Sequence, residues 1–94
     1  MNQKGSSAIL AISAEQLRAA RALLGWSQSQ LAEKAGLSLP TVKRVETEQG
    51  PRVSDAARLA LRVALESGGV EFIDENGGGP GVRLRKRQKS KKQK

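Results

Sequence analysis

Apolar residues recur along this chain with two different periods. From Leu17 to Leu65 they fall mostly three and four positions apart, the spacing that lines one face of an α-helix. After Gly69 they begin to alternate with polar residues, as along a strand. The first pattern predicts four helices. Leu17, Ala20, Leu23 and Leu24 stripe one over about Ala14 to Leu24, and Leu31, Ala32 and Ala35 stripe another over Gln28 to Ala35. Val42 and Val45 face inward from a third over Leu39 to Glu48. Leu59, Leu61, Val63 and Leu65 ride a fourth, which starts after Ser54 and runs to about Ser67. The second pattern predicts strands at Val70 to Ile73 and Val82 to Arg85, joined as a hairpin by the glycine-rich loop Asp74 to Gly81. Ahead of the helices, Met1 to Ser7 is polar and aperiodic, and Ala8 to Ile12 is either a short strand or an apolar lead-in.

The helix boundaries carry their own chemistry. Ser13 and Ser27 each precede a helix, with Gln16 and Gln30 three residues on, so each pair can close a capping box. Ile12 with Leu17, and Trp26 with Leu31, sit where a hydrophobic staple is made. Ser38 repeats the pattern with Leu37 and Val42 as the staple, Thr41 at the third position, and Pro40 in the first turn, where a missing N–H costs nothing. Gly25 and Gly36 stand where helix C-termini favour the left-handed conformation, and Gly50-Pro51 and Gly68-Gly69 break the chain again. The chain therefore divides into an arm over 1–12, disordered or extended, a helical domain over 13–67, a hairpin over 68–85 and a disordered basic tail over 86–94.

Composition narrows the chemistry. The 94 residues include no cysteine and no histidine, which excludes disulfides, thiolate chemistry, zinc-finger ligation and His-based acid–base catalysis. A chain this short builds one modest core and leaves little room for a catalytic domain. No apolar run approaches the ~20 residues of a membrane span, and Ala8 to Ile12 is shorter than a signal-peptide core, so a cytoplasmic protein is expected. The net charge is +8, and all of the excess lies at one end: Arg83 to Lys94 carries eight Lys/Arg and no acid, while the preceding residues hold nine bases against nine acids. Such a tail is either a solvated run of like charge or a polyanion-binding arm that displaces counterions from nucleic acid.

The segment Gln28 to Glu46 places two short helices on either side of a Gly36-Leu37-Ser38 connection. So tight a connection makes the helices cross steeply, with Ala32 and Gly36 small where they approach and Leu37 and Val42 filling the angle. That is helix-turn-helix geometry, in which the second helix projects into a DNA major groove. Over about Leu17 to Leu65 the sequence resembles the repressor/Cro-like regulators of phages and bacteria, the xenobiotic-response-element family. Gln28, Leu31, Ala32, Ala35, Gly36, Ser38, Thr41, Val42, Val45 and Glu46 stand at its signature positions. Arg21 stands where members carry an arginine that pairs with the glutamate matched by Glu46.

The resemblance implies a role for each matched position. Leu39, Pro40, Lys43 and Arg44 would face the groove, and Gln28, Ser38, Thr41 and Arg52 would meet the DNA backbone. Leu39 and Pro40 depart from the polar readers usual there and offer only apolar contact, for instance to a thymine methyl. Hydrogen-bonded readout then falls to Lys43 and Arg44, whose natural target is guanine N7 and O6.

Plainer readings stand beside these. Lys43 and Arg44 could be solvated surface charges, and Arg21 and Glu46 unconnected ones. Trp26 reads as a packing residue rather than a base-stacking one. Gly77 to Gly81 lacks the Lys-Ser/Thr and the helix of a phosphate loop and reads as a turn, and Asp74 and Glu75 have no partner ligands nearby. The expected fold is an all-α, lambda-repressor-like helix-turn-helix core of four to five helices with a small C-terminal β-hairpin. The expected protein is no enzyme and uses no cofactor, metal or small-molecule ligand. It is a homodimeric DNA-binding regulator, with Val70, Phe72, Ile73, Val82 and Leu84 of the hairpin as the dimerisation surface. A competing reading from another class is an antitoxin that neutralises a partner toxin and autoregulates its operon.

Overall fold

The computed structural model describes residues 12–86. The expectations for the N-terminal arm before Ile12 and for the tail after Lys86 lie outside the described residues. Four helices and a hairpin follow in order: α1 Ala14–Leu24, α2 Gln28–Ala35, α3 Leu39–Thr47, α4 Asp55–Ser67, β1 Val70–Ile73 and β2 Gly81–Leu84. This is an all-α four-helix core with a two-stranded antiparallel sheet at its C-terminal end.

Each helix begins on a serine whose hydroxyl accepts an N–H three residues on. Ser13, Ser27, Ser38 and Ser54 cap α1 to α4 in turn, and the first two complete reciprocal capping boxes with Gln16 and Gln30. Gly25 and Gly36 end α1 and α2 at φ of 70° and 71°, a region that a side chain strains and glycine enters freely. α3 ends before the Gly50-Pro51 break, at Glu48, which takes the left-handed conformation at φ 57° and donates its N–H to Arg44 O.

Leu31, Val42, Val45, Leu61, Leu65 and Val70 are fully buried at the centre, joined by Ile12, Leu17 and Ala20 of the N-terminal side. Each large apolar side chain buried in this way contributes ~1.5–3 kcal/mol. α3 and α4 each pack on α1 and α2 and scarcely touch one another. Two apolar expectations need correction. Leu23 of α1 is exposed, and in α4 the stripe divides: Leu61 and Leu65 are buried with Ala64, whereas Leu59 and Val63 are 41% and 51% exposed. At 100° per residue Leu59 and Leu61 point to nearly opposite sides, so a single helix face cannot bury both pairs.

The hairpin pairs Val70 with Leu84, Glu71 with Arg83, Phe72 with Val82 and Ile73 with Gly81. β2 thus runs Gly81 to Leu84, one residue earlier than expected. Val70 and Phe72 point to the helices and are buried in the core, while the guanidinium of Arg62 on α4 lies 5.3 Å from the centroid of the Phe72 ring. One side chain of α1 anchors the hairpin's end. Gln16 caps Ser13 through its Oε1, and its Nε2 donates to Gly81 O at 3.0 Å and Ile73 O at 3.4 Å. Nothing in the periodicity marks Gln16 for that second task.

Candidate nucleic-acid interface

The connection between α2 and α3 is three residues long and hydrogen-bonded to both helices. Gly36 and Leu37 donate their N–H groups to carbonyls of the last turn of α2, with Leu37 N to Ala32 O at 2.9 Å. Ser38 Oγ then accepts from Thr41 N at 3.2 Å and lies 2.8 Å from Thr41 Oγ1. With both helix ends satisfied locally, the crossing of α2 and α3 is held by short-range bonds as well as by Leu31 and Val42 beneath it.

α3 is strongly two-sided. Val42, Val45 and Glu46 are buried, whereas Pro40, Lys43 and Thr47 are exposed along one stripe at the helical spacing i, i+3, i+7. Leu39, Thr41 and Arg44 are half-buried at its margins. Thr47 extends the exposed stripe by a turn, a position the residue-type reading overlooked although helical spacing from Lys43 places it there. Its hydroxyl donates to Lys43 O at 2.8 Å.

Beneath the stripe, Glu46 is 1% exposed and its carboxylate is fully engaged. Arg21 of α1 grips it with two bonds, Nε to Oε2 at 2.8 Å and Nη2 to Oε1 at 3.0 Å, and Gln28 Nε2 donates to Oε1 at 3.0 Å. The third arm of Arg21 donates to Trp26 O at 2.9 Å, and Arg18 donates to Glu46 O. One buried carboxylate therefore ties α3 to α1, to the α1–α2 connection and to the start of α2. A planar guanidinium making a bidentate bond fixes orientation as well as distance.

The other expected contact residues are less alike than their grouping suggests. Gln28 turns its amide nitrogen inward to Glu46. Arg52 is exposed and paired with Asp55 at 3.1 Å. Arg44 leans from α3 toward the α3–α4 connection, where its stem is close enough that a Cβ on Gly50 would lie 3.2 Å from its Cδ. Its Nε is buried with no hydrogen-bond partner among the described residues. Arg44, Arg52 and Arg58 line one cleft of about 330 Å³ with Glu48, Gly50 and Pro51. Arg58 was not singled out from the sequence, because nothing local marks a helix arginine as facing a cleft.

The hairpin residues expected at a dimer surface separate in the same way. Val70 and Phe72 lie in the protomer's own core, Ile73 and Val82 are half-buried, and Leu84 is exposed. Phe72 is covered within the protomer. α1 and α4 flank β1 and supply that cover.

Residues 17–62 match the model of a helix-turn-helix family, a span that runs from α1 through the α2–α3 unit into α4. No curated protein matches the chain. The segment is a helix-turn-helix domain, a non-catalytic DNA-binding regulatory module of the kind found in xenobiotic-response-element-like regulators. Among the described residues no helix is long and apolar enough to cross a membrane, and no group of acidic residues is arranged to hold a metal ion.

Proposed function

We propose that this protein binds a palindromic operator sequence-specifically as a homodimer and regulates transcription in the cytoplasm, as a repressor that includes its own promoter among its targets. The observation that carries this reading is the two-sidedness of α3. The Arg21–Glu46–Gln28 network, built on a buried carboxylate, holds the helix from behind, and Pro40, Lys43 and Thr47 stand exposed in front. Preorganised side chains on a rigid element lose little entropy on binding.

In this reading Lys43 donates to guanine N7 and O6, and Pro40 and Leu39 lie against thymine methyls. Ser38 and Thr41 at the start of α3 meet one phosphate. Gln28 meets another through its amide oxygen while its nitrogen stays on Glu46. Arg44 and Arg52 reach the backbone or the groove edge from the cleft they share with Arg58. The basic residues after Arg83 add sequence-independent attraction.

Nuclease footprinting on the gene's upstream region tests the proposal. The expected result is a protected palindrome with half-sites about one helical turn apart. Protection without a repeated half-site, or none that distinguishes specific from scrambled duplex, would overturn it.

A further inference from the structure

The arginines of the described chain divide by what their guanidiniums meet. Arg18, Arg21, Arg52, Arg62 and Arg83 each face a carboxylate. Arg85 donates to Glu66 O and Val70 O at the end of α4. Arg44 and Arg58 remain, and neither faces a carboxylate among the described residues. Arg58 Nη2 makes a long bond of 3.4 Å to Ile12 O, and Arg44 Nε is enclosed with no hydrogen-bond partner. Arg44 comes from α3 and Arg58 from α4, yet both line the same cleft, with Arg52 of the connection between them.

We propose that the α3–α4 cleft is a discrete site for a free phosphate-class oxyanion, held by Arg44, Arg52 and Arg58, and that an anion seated there competes with DNA. The competition rests on the reading in which Arg44 and Arg52 meet the DNA backbone. The site itself does not, because it fills without DNA.

Charge points to an anion. Glu48 is the one acid among the lining residues, and it is exposed. Asp55 draws on Arg52 from outside the cleft at 3.1 Å, but both partners are largely exposed and such a pair rearranges at little cost. Arg44 and Arg58 are half-buried and supply charge that no acid offsets. Val45 and Val53, both buried in the core, give the cleft an apolar wall. Charges of one sign beside a wall of low dielectric concentrate the field on whatever enters.

Shape points to a tetrahedral one. Guanidiniums from three separate segments suit an acceptor whose oxygens diverge, whereas a planar carboxylate satisfies one fork. The cleft holds about 330 Å³, against ~30 Å³ for a water in the liquid, so a phosphate fits with water around it. Arg44 adds a specific demand. A buried N–H without an acceptor is costly, and an oxygen that draws the guanidinium forward relieves it.

Titration of the full chain with inorganic phosphate, without DNA and at constant ionic strength, tests the site through the NMR signals of the arginine Nε–Hε groups. The expected result is a saturable shift of the Arg44 and Arg58 signals, reproduced by sulfate and absent with acetate or chloride. Arg58→Gln should weaken phosphate binding about tenfold, the loss of one charge-assisted hydrogen bond. Glu48→Gln removes the acid of the cleft and should tighten binding severalfold, a gain that misfolding cannot imitate. No saturation, an equal response to acetate, a Glu48→Gln that binds no tighter, or phosphate acting on the terminal lysines alone would each overturn the site. Replacing chloride by phosphate at constant ionic strength should also weaken DNA binding severalfold in wild type and much less in Arg58→Gln. Saturation of the cleft with DNA affinity unchanged would overturn the competition, and with it the backbone contacts of Arg44 and Arg52, while the site stands.

Discussion

The indole of Trp26 lies directly against the backbone of Gly68. A Cβ built at Gly68 would come within 2.7 Å of Trp26 Cη2 and 2.9 Å of Leu24 Cδ1, both closer than carbon atoms pack. The helix α4 therefore ends on glycine for want of space, since Gly68 itself sits at φ −79° and ψ −9°, a conformation any residue adopts.

Gly68→Ala should accordingly destabilise the protein by ~1–3 kcal/mol through overpacking, a loss larger than the ~0.4–1 kcal/mol that Ala gains by lowering the entropy of the unfolded chain. Paired with Trp26→Leu, which removes the indole contacts and leaves only that of Leu24, the same substitution should cost less. Thermal melts of the single and double variants check this, and additive losses would show that Trp26 is not the obstacle.

Glu46→Ala should destabilise by ~3–5 kcal/mol, because it strands the Arg21 guanidinium beside a half-buried connection and frees Gln28. Glu33→Ala, on the exposed side of α2, should stay within about 0.5 kcal/mol. Chemical denaturation of the two variants measures the difference.

Lys43→Ala should weaken operator binding by ~1–3 kcal/mol and relax preference at one base pair per half-site, with little loss on scrambled duplex. Arg44→Ala should show a different profile. Its half-buried stem packs beside Gly50, so part of its loss should appear as reduced thermal stability. Gel-shift titrations on both duplexes, with melts alongside, separate the two residues. Equal losses on specific and scrambled DNA for Lys43→Ala would make it a backbone contact.

On the hairpin, the Arg83 guanidinium donates to Glu71 at 2.9 Å and holds its carboxyl below the ordinary value of 4.5. A lowered folded value means that the stabilisation is present above the unfolded value and fades as pH falls through the folded one. Both groups are exposed, so the effect is confined to the hairpin and small. Carbon-detected NMR titration should place the Glu71 midpoint below 4.5 and move it upward in Arg83→Gln.

Removing Gln88 to Lys94 should lower affinity for every DNA sequence by a similar factor and flatten the dependence of log affinity on log salt. The segment holds four lysines and no acid. An unchanged slope would show that these lysines release no counterions on binding.

The sequence by itself determined the helices, their starts and most of their ends. The signals are local: a serine hydroxyl reaching an N–H three residues on at Ser13, Ser27, Ser38 and Ser54, and glycine free to turn left-handed at Gly25 and Gly36. Such bonds are satisfied within four residues, so they are legible wherever they occur. The helix-turn-helix unit was legible for the same reason, since its crossing depends on a three-residue connection and the small residues beside it. Other features depended on neighbours distant in the chain. Both pairs of α4 are apolar, and packing against α1 and α2 decided that Leu61 and Leu65 go inside while Leu59 and Val63 stay out. Tertiary structure likewise placed Phe72 under Arg62, turned Arg44 toward Gly50 and sent Gln16 across to the hairpin. A side chain's periodicity gives the face it occupies, but what that face meets is settled only when separate elements compete to cover one limited core.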